Sequence, residues 1–292
     1  MFTKILVCVD PFTPNRKLLS CTAFLQQLGA AHVVLAHVIV ADTPGLDKML
    51  IAQAGPEMER QKKILEAAGL AVAIEMPVGY PPQALNDLAE KHDVSVIVIG
   101  THGRGLIESM TLAGSPLGNV SAKLLQKSQR PVLLVRTAIP TKDEGTEECH
   151  LFTHVLFPTD FSDTAEVALL YLEALVCTIH CPVTLLHVQE ERPRSTLHPG
   201  RRSPDLHKIN AARLHRLQLW LENAGAPEVA MELIQGGAAG DQIVTMAKAK
   251  GCSLILMGTQ GKGITQEILL GSVAHQAARQ AEQPILFVPM LQ

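Results

Sequence analysis

Short apolar runs recur along the chain, and stretches of helical period fill the gaps between them. In the first half the runs fall near 3–9, 32–39, 71–77, 95–99 and 131–136; in the second they fall near 154–158, 182–188, 229–234, 253–257 and 284–288. Continuously apolar runs of this length read as strands buried on both faces of a parallel sheet. The helical patterns lie near 15–28, 46–68, 81–91 and 117–128, and again near 162–177, 203–223, 238–249 and 271–281. Strand and helix therefore alternate throughout. That order predicts an α/β fold with right-handed crossovers and helices on both sheet faces.

The two halves repeat one another in order and spacing. Residues 4–10 (KILVCVD) match 154–160 (HVLFPTD), and 33–38 (VVLAHV) match 183–188 (VTLLHV). Residues 96–105 (VIVIGTHGRG) match 254–263 (LILMGTQGKG), and 130–135 (RPVLLV) match 283–288 (QPILFV). We therefore expect one domain over residues 1–138 and a second over 151–292, each an open five-stranded parallel sheet. Residues 139–150 contain Pro140, Gly145 and the acids Asp143, Glu144, Glu147 and Glu148, and read as an exposed linker.

Composition narrows the class. At 47% apolar and 18% charged, the 292 residues can bury two sizeable cores. A net charge of −3 makes no case for nucleic acid or a membrane surface as partner. No apolar run reaches the ~18 residues of a membrane span. The first residues enter a strand directly and do not resemble a cleavable signal. Six cysteines spread through strand and helix patterns read as reduced thiols, hence a cytoplasmic protein.

One stretch carries candidate chemistry. After the strand near 253–257 come Gly258 and Gly261, then nine residues, then Gly271-Ser272 at the start of a helical pattern. Glycines at a strand end let backbone N–H groups approach a ligand closely. A helix start adds unpaired N–H groups and the positive end of a dipole. Together they predict a phosphate cradle. It is neither G-K-[ST] nor the G-x-G-x-x-G of dinucleotide folds.

These residues resemble the universal stress protein family. Gly258, Gly261, Gly271 and Ser272 match its Gly-x2-Gly-x9-Gly-[Ser/Thr] signature, and Pro158, Thr159, Asp160 and the strand ending at Val188 are also similar. The resemblance covers both halves. It implies two Rossmann-like domains of the adenine nucleotide alpha hydrolase type, with ATP, accompanied by Mg²⁺, at the strand carboxyl ends, where open α/β sheets bind ligands. It would place Asp160, beside Pro158 and Thr159, at the adenine edge and Val188 against the adenine face. Met257 and Gly258 would run along the ribose and phosphates. Gly261, Gly271, Ser272 and Val273 would donate to phosphate oxygens. Gln260 stands where the family often has histidine.

The first half departs from this pattern. Asp10, Val38, Gly100 and Gly103 have counterparts, but the third glycine is ambiguous. Either Gly114-Ser115 follows one residue late, or Gly118-Asn119 takes the place of Gly271-Ser272 after a loop five residues longer. Either way the cradle is altered, and we expect this half not to hold nucleotide in the same manner.

Other features have plainer readings. Asp10 and Asp160 suit helix capping as well as site lining. His37 and His187, at matched strand positions, read as buried neutral histidines. Cys177, His180, Cys181 and His187 fit no compact zinc module, so no metal site is expected. Ser115 and Ser272 lack a paired base, so no catalytic residue is expected. Arg192, Arg194, Arg201, Arg202, Lys208, Arg213 and Arg216 read as a solvated basic surface. Leu206, Ile209, Leu214, Leu217, Trp220 and Leu221 read as a core-facing stripe, as do Met49 and Met58 in the first half.

The functional expectation is a stress protein that binds ATP through its second domain. No general base, arginine finger or metal-holding acid accompanies the glycine loop, so hydrolysis should be slow or absent. The alternative is a nucleotide-independent scaffold, or a binder of another small ligand in the first-half cleft. An adenylating ligase is a third, weaker reading. For assembly, the resemblance implies pairing through the last strands, Val132–Val135 with Ile285–Val288, inside one chain. A homodimer of such chains is the next level.

Overall fold

The computed structural model describes residues 1–13, 16–101, 117–137, 149–189, 205–261 and 270–290. In the first half the strands are β1 (Lys4–Cys8), β2 (His32–Ala36), β3 (Ala71–Glu75), β4 (Val96–Gly100) and β5 (Val132–Val135). Its helices are α1 (Arg16–Phe24), α2 (Leu46–Ala67), α3 (Pro81–Lys91) and α4 (Asn119–Lys127). The second half has β6 (Val155–Pro158), β7 (Val183–Gln189), β8 (Val229–Gln235), β9 (Leu254–Gly258) and β10 (Ile285–Val288). Its helices are α5 (Asp163–Ile179), α6 (Leu206–Asn223), α7 (Ala239–Ala249) and α8 (Ser272–Gln280).

Local sequence explains several boundaries. The pattern near 15–28 divides into α1 and a 3₁₀ turn, Leu25–Leu28, closed by Gly29 at φ 91°, a conformation open to glycine. Pro81 opens α3 at a position where a missing N–H costs nothing. Ser162 caps α5, its Oγ accepting from the N–H of Ala165 at 3.3 Å. Pro56 sits inside α2 without ending it. The buried Ala54, Met58 and Leu65 on either side hold that helix against the sheet.

The strands form one ten-stranded sheet in the order β3-β2-β1-β4-β5-β10-β9-β6-β7-β8. Within each half every pairing is parallel. The halves meet where β5 and β10 pair antiparallel, Ile285 opposite Leu134 and Phe287 opposite Val132. Two apolar cores cover the two faces, and each runs through both halves. Leu18, Met58, Leu172 and Leu214 pack on one face with Val7, Leu133 and Phe157. Leu85, Leu124, Ile243 and Ala277 pack on the other with Leu6, Val132 and Phe287. Every residue of β5 and β10 is buried, so strands that would be exposed edges in separate halves are interior strands here.

Two expectations are corrected. Cys21 of α1 and Cys149 are joined as a disulfide, 128 residues apart in sequence, so the thiols are not all reduced. The backbone N–H of Cys149 also donates to Ser20 Oγ at 3.1 Å, and His150 and Phe152 pack on Phe24. The end of the predicted exposed linker is thus docked on α1, and Cys149 is buried. The second correction concerns α6. Leu214 and Leu221 are buried, whereas Leu206, Ile209 and Trp220 are exposed. This helix covers the outer strands β7 and β8, so only a narrow stripe faces apolar partners. Trp220 instead donates its indole N–H to Glu173 Oε1 at 2.6 Å. Met49 is likewise exposed while Met58 is buried.

Candidate functional site

The carboxyl ends of β6, β7 and β9 open onto a cavity of about 490 Å³, within the ~300–1,000 Å³ usual for small-ligand sites. Pro158, Thr159, Asp160, Val188, Met257, Gly258, Gly261, Gly271, Ser272 and Val273 all line it. Residues from four separate sequence segments therefore meet around one space.

The turn after β6 is built by its own side chains. The N–H of Thr159 donates to the carbonyl of Leu186 at 2.8 Å, prolonging the β6–β7 ladder. Thr159 Oγ1 accepts from the N–H of Phe161 at 3.0 Å, and Asp160 Oδ1 accepts from that of Ser162, also at 3.0 Å. Phe161 adopts φ 59°, which turns the chain into α5. Asp160 thus closes a local turn and lines the cavity at once.

The glycines answer to close approach. A Cβ on Gly258 would stand 2.8 Å from Thr164 Cγ2 and 3.1 Å from the Thr164 carbonyl oxygen. A Cβ on Gly261 would stand 2.7 Å from Asp160 Oδ2. Gly271 caps α8 with φ −67° and ψ 153°, its N–H donating to the carbonyl of Thr259 at 2.7 Å. The opening amides of α8, unpaired within the helix, belong to Ser272, Val273 and Ala274 at the cavity wall. They can receive an anion, and the helix dipole favours one there.

The opposite wall is polar, and the sequence pattern does not single out two of its members, Gln189 and Asn210. His187 is buried, its Nδ1–H donating to the carbonyl of Thr159 at 2.7 Å. Its Nε2 accepts from the amide of Asn210 on α6 at 3.0 Å, which defines a neutral tautomer. The Phe161 ring lies 4.7 Å from the imidazole, and the Arg213 guanidinium stands over that ring at 5.3 Å. Gln189, Asn210, Arg213 and Gln260 all line the cavity. Only its place one helical turn before the buried Leu214 could have marked Asn210 as inward-facing.

The first half repeats the frame with changed contents. Asp10 Oδ1 accepts from the N–H of Phe12 at 3.0 Å, and the His37 ring meets the Val9 carbonyl at 3.1 Å. Val38, half-buried, packs on the same core face as Val188. The third glycine is identified by geometry. Gly118 caps α4 with φ −64° and ψ 150°, and its N–H donates to Thr101 at 2.9 Å, as Gly271 does to Thr259. Asn119 therefore takes the position of Ser272. Gly103, Gly114 and Ser115 lie outside the described residues. Ser121 of α4, opposite Ala274 in the second half, donates to the carbonyl of Gly100 at 2.8 Å.

Among the described residues, two titratable groups near the first-half site are shifted by burial. Burial lowers the pKa of His37, partly offset by the Val9 carbonyl and the Asp10 charge. Burial also raises that of the Cys8 thiol. Among the described residues, no three His, Cys, Asp or Glu side chains are placed to hold a metal ion. Nor is any described helix long and apolar enough to cross a membrane.

Known proteins resemble this chain at both levels. The model of the universal stress protein family matches residues 1–136 and again 151–289. Universal stress protein YxiE of Bacillus subtilis is 31% identical over 154 residues, covering 47% of this chain and 100% of that protein. Universal stress protein MJ0577 of Methanocaldococcus jannaschii is 28% identical over 156 residues, covering 47% of this chain and 95% of that protein. The crystal structure of a universal stress protein from Archaeoglobus fulgidus superposes with a TM-score of 0.74 at 21% identity. It covers 98% of this chain and 96% of that one, so the likeness in fold spans both halves. With both halves matched by the family model, the chain belongs to the universal stress protein family, as a tandem of two such domains.

Proposed function

We propose that the second domain binds ATP and that the protein acts in stress responses through an ATP-dependent change of its surface, with little or no hydrolysis. The observation that carries the proposal is the meeting of Gly258, Gly261 and the start of α8 with Asp160, Val188 and Met257 around one cavity. The cradle suits phosphates, because the unpaired opening amides of α8 line the cavity, and Gly261 lets the backbone pass close to Asp160. Gly261, Gly271, Ser272 and Val273 would hold the phosphates, and Val188 and Met257 the adenine and ribose. Mg²⁺ would ride mainly on the phosphate oxygens, since Asp160 is the one carboxylate among the described lining residues.

Among the described residues, the same wall supports slow or absent hydrolysis. Asp160 already serves the Ser162 amide, and both His187 nitrogens are engaged. Neither is poised to activate water. We read the first domain as not sharing this nucleotide mode, given Gly118-Asn119 and its longer loop. A cytoplasmic location suits an ATP binder, and burial of both bridged cysteines shields their disulfide from reductant. Because β5 and β10 already pair with each other, a homodimer would use another surface.

The test is calorimetric titration of ATP into the wild type and Gly271→Val. One site per chain, lost in the variant, is the expected result. No binding by the wild type at millimolar ATP overturns the proposal and favours the scaffold reading.

A further inference from the structure

Strand alternation puts Gln189, the last residue of β7, on the same sheet face as His187, toward α6. Its side-chain Oε1 is buried and has no hydrogen-bond partner. Such an acceptor is destabilising unless something in the site donates to it.

The internal repeat shows that this polarity is particular to the second half. His37 and His187 make the same ring contact to the turn after the first strand of their half. Two residues on, Gln189 therefore corresponds to Ile39, which is buried. The helices can be aligned on the positive-φ glycines that follow them, Gly69 and Gly225. Asn210 then corresponds to Ala54. The half with the intact glycine loop thus has two amide side chains where the other half has aliphatic ones.

Building on the nucleotide reading above, we infer that Gln189 is a specificity-determining residue whose carbonyl accepts from the exocyclic amino group of the purine. The cleft then takes 6-aminopurine nucleotides in preference to 6-oxopurines. With the Gln189 amide oriented as the structure shows, an oxo group at that position would set one acceptor against another. The amino group has two hydrogens, so Asp160 and Gln189 can both accept from it. Asn210 commits one amide hydrogen to His187, and the Arg213 guanidinium and the Gln260 amide are further lining groups that could donate to an oxo group.

The test compares ATP with inosine triphosphate, in which a 6-oxo group replaces the amino group and N1 consequently carries a hydrogen. The wild type should bind ATP about tenfold tighter or more. Gln189→Ile installs the residue that the first half carries at this place, so the strand should tolerate it. It should bring the two affinities within about threefold while the melting temperature does not fall. Gln189→Glu, which can only accept, should keep the preference for ATP. The inference is overturned if Gln189→Ile discriminates as the wild type does, or if Gln189→Glu binds both nucleotides equally. Failure of the wild type to bind ATP would instead remove the nucleotide reading, and the inference with it.

Discussion

Arg136, the residue after β5, donates from Nε to the carbonyl of Ala281 at 3.1 Å, the residue that ends α8. Its Nη2 donates to the carbonyl of Arg279 at 2.8 Å. A first-domain guanidinium therefore closes the carboxyl end of the helix whose amino end lines the second-domain cavity. The contact has no mirror image, because the residue after β10 is Pro289, which has no side-chain donor. Helix carboxyl ends leave carbonyls unpaired, and a cation there also suits the dipole.

Replacing Arg136 with Ala should cost about 1–3 kcal/mol, since two half-buried carbonyls lose their donor. Arg136→Lys should recover only part, having no fork to span both oxygens. Urea denaturation of the full chain measures this. Equal stability of Arg136→Ala and wild type would show that water replaces the guanidinium without loss.

The disulfide makes a countable prediction. In denaturant without reductant, four thiols should titrate, those of Cys8, Cys177, Cys181 and Cys252. With reductant all six should appear. In the native protein only the exposed Cys177 should alkylate quickly near neutral pH. Burial pushes Cys181 and Cys252 up to about 11, and Cys8 up as well. Cys149→Ser should destabilise the fold by about 4–5 kcal/mol if loop closure in the unfolded chain dominates.

Two glycines should separate stability from binding. In Gly258→Ala the methyl meets Thr164, including its backbone oxygen, so a loss of about 1–3 kcal/mol in folding stability is expected. In Gly261→Ala the methyl meets, among the described residues, only the Asp160 carboxylate, which can turn aside. That variant should lose less stability than Gly258→Ala, with only the bond from the Ser162 N–H to Asp160 at risk, and bind ATP about tenfold more weakly, because Asp160 is displaced. Thermal melts and calorimetry on both variants distinguish the effects.

The pH dependence of stability should carry a His37 component. Burial depresses its folded pKa below the ordinary 6.5, so the unfolded chain binds the proton more readily. Its contribution is therefore complete above pH 6.5 and is lost as the pH falls through 6.5 toward the folded value. Glu75, held low by Lys91 and His92, acts in a separate window, losing its contribution as pH falls below about 4.5. His37→Gln should flatten the stability profile in the range just below pH 6.5 and leave the acid limb unchanged. An unaltered slope in that window would show that His37 titrates alike in both states.

Much of this protein was legible in one dimension because its signals are local or periodic. Continuous apolar runs marked the strands, since a strand covered on both faces needs apolar residues at every position. The repeat, and with it the glycine signature at Gly258, Gly261 and Gly271, was visible because both halves keep the same order of segments. Choosing between Gly114 and Gly118 was not possible that way. Only the hydrogen bond from Gly118 to Thr101, made across the sheet end, identifies the counterpart of Gly271. The bond between Cys21 and Cys149, the Arg136 clasp on α8, and the amide wall of Gln189 and Asn210 were likewise invisible. Each joins residues far apart in sequence, and no local propensity encodes which distant side chain a cysteine, arginine or amide will meet. Periodicity determines what each segment must bury; the pairing of β5 with β10 and the packing of helices across both halves decide which polar groups come together.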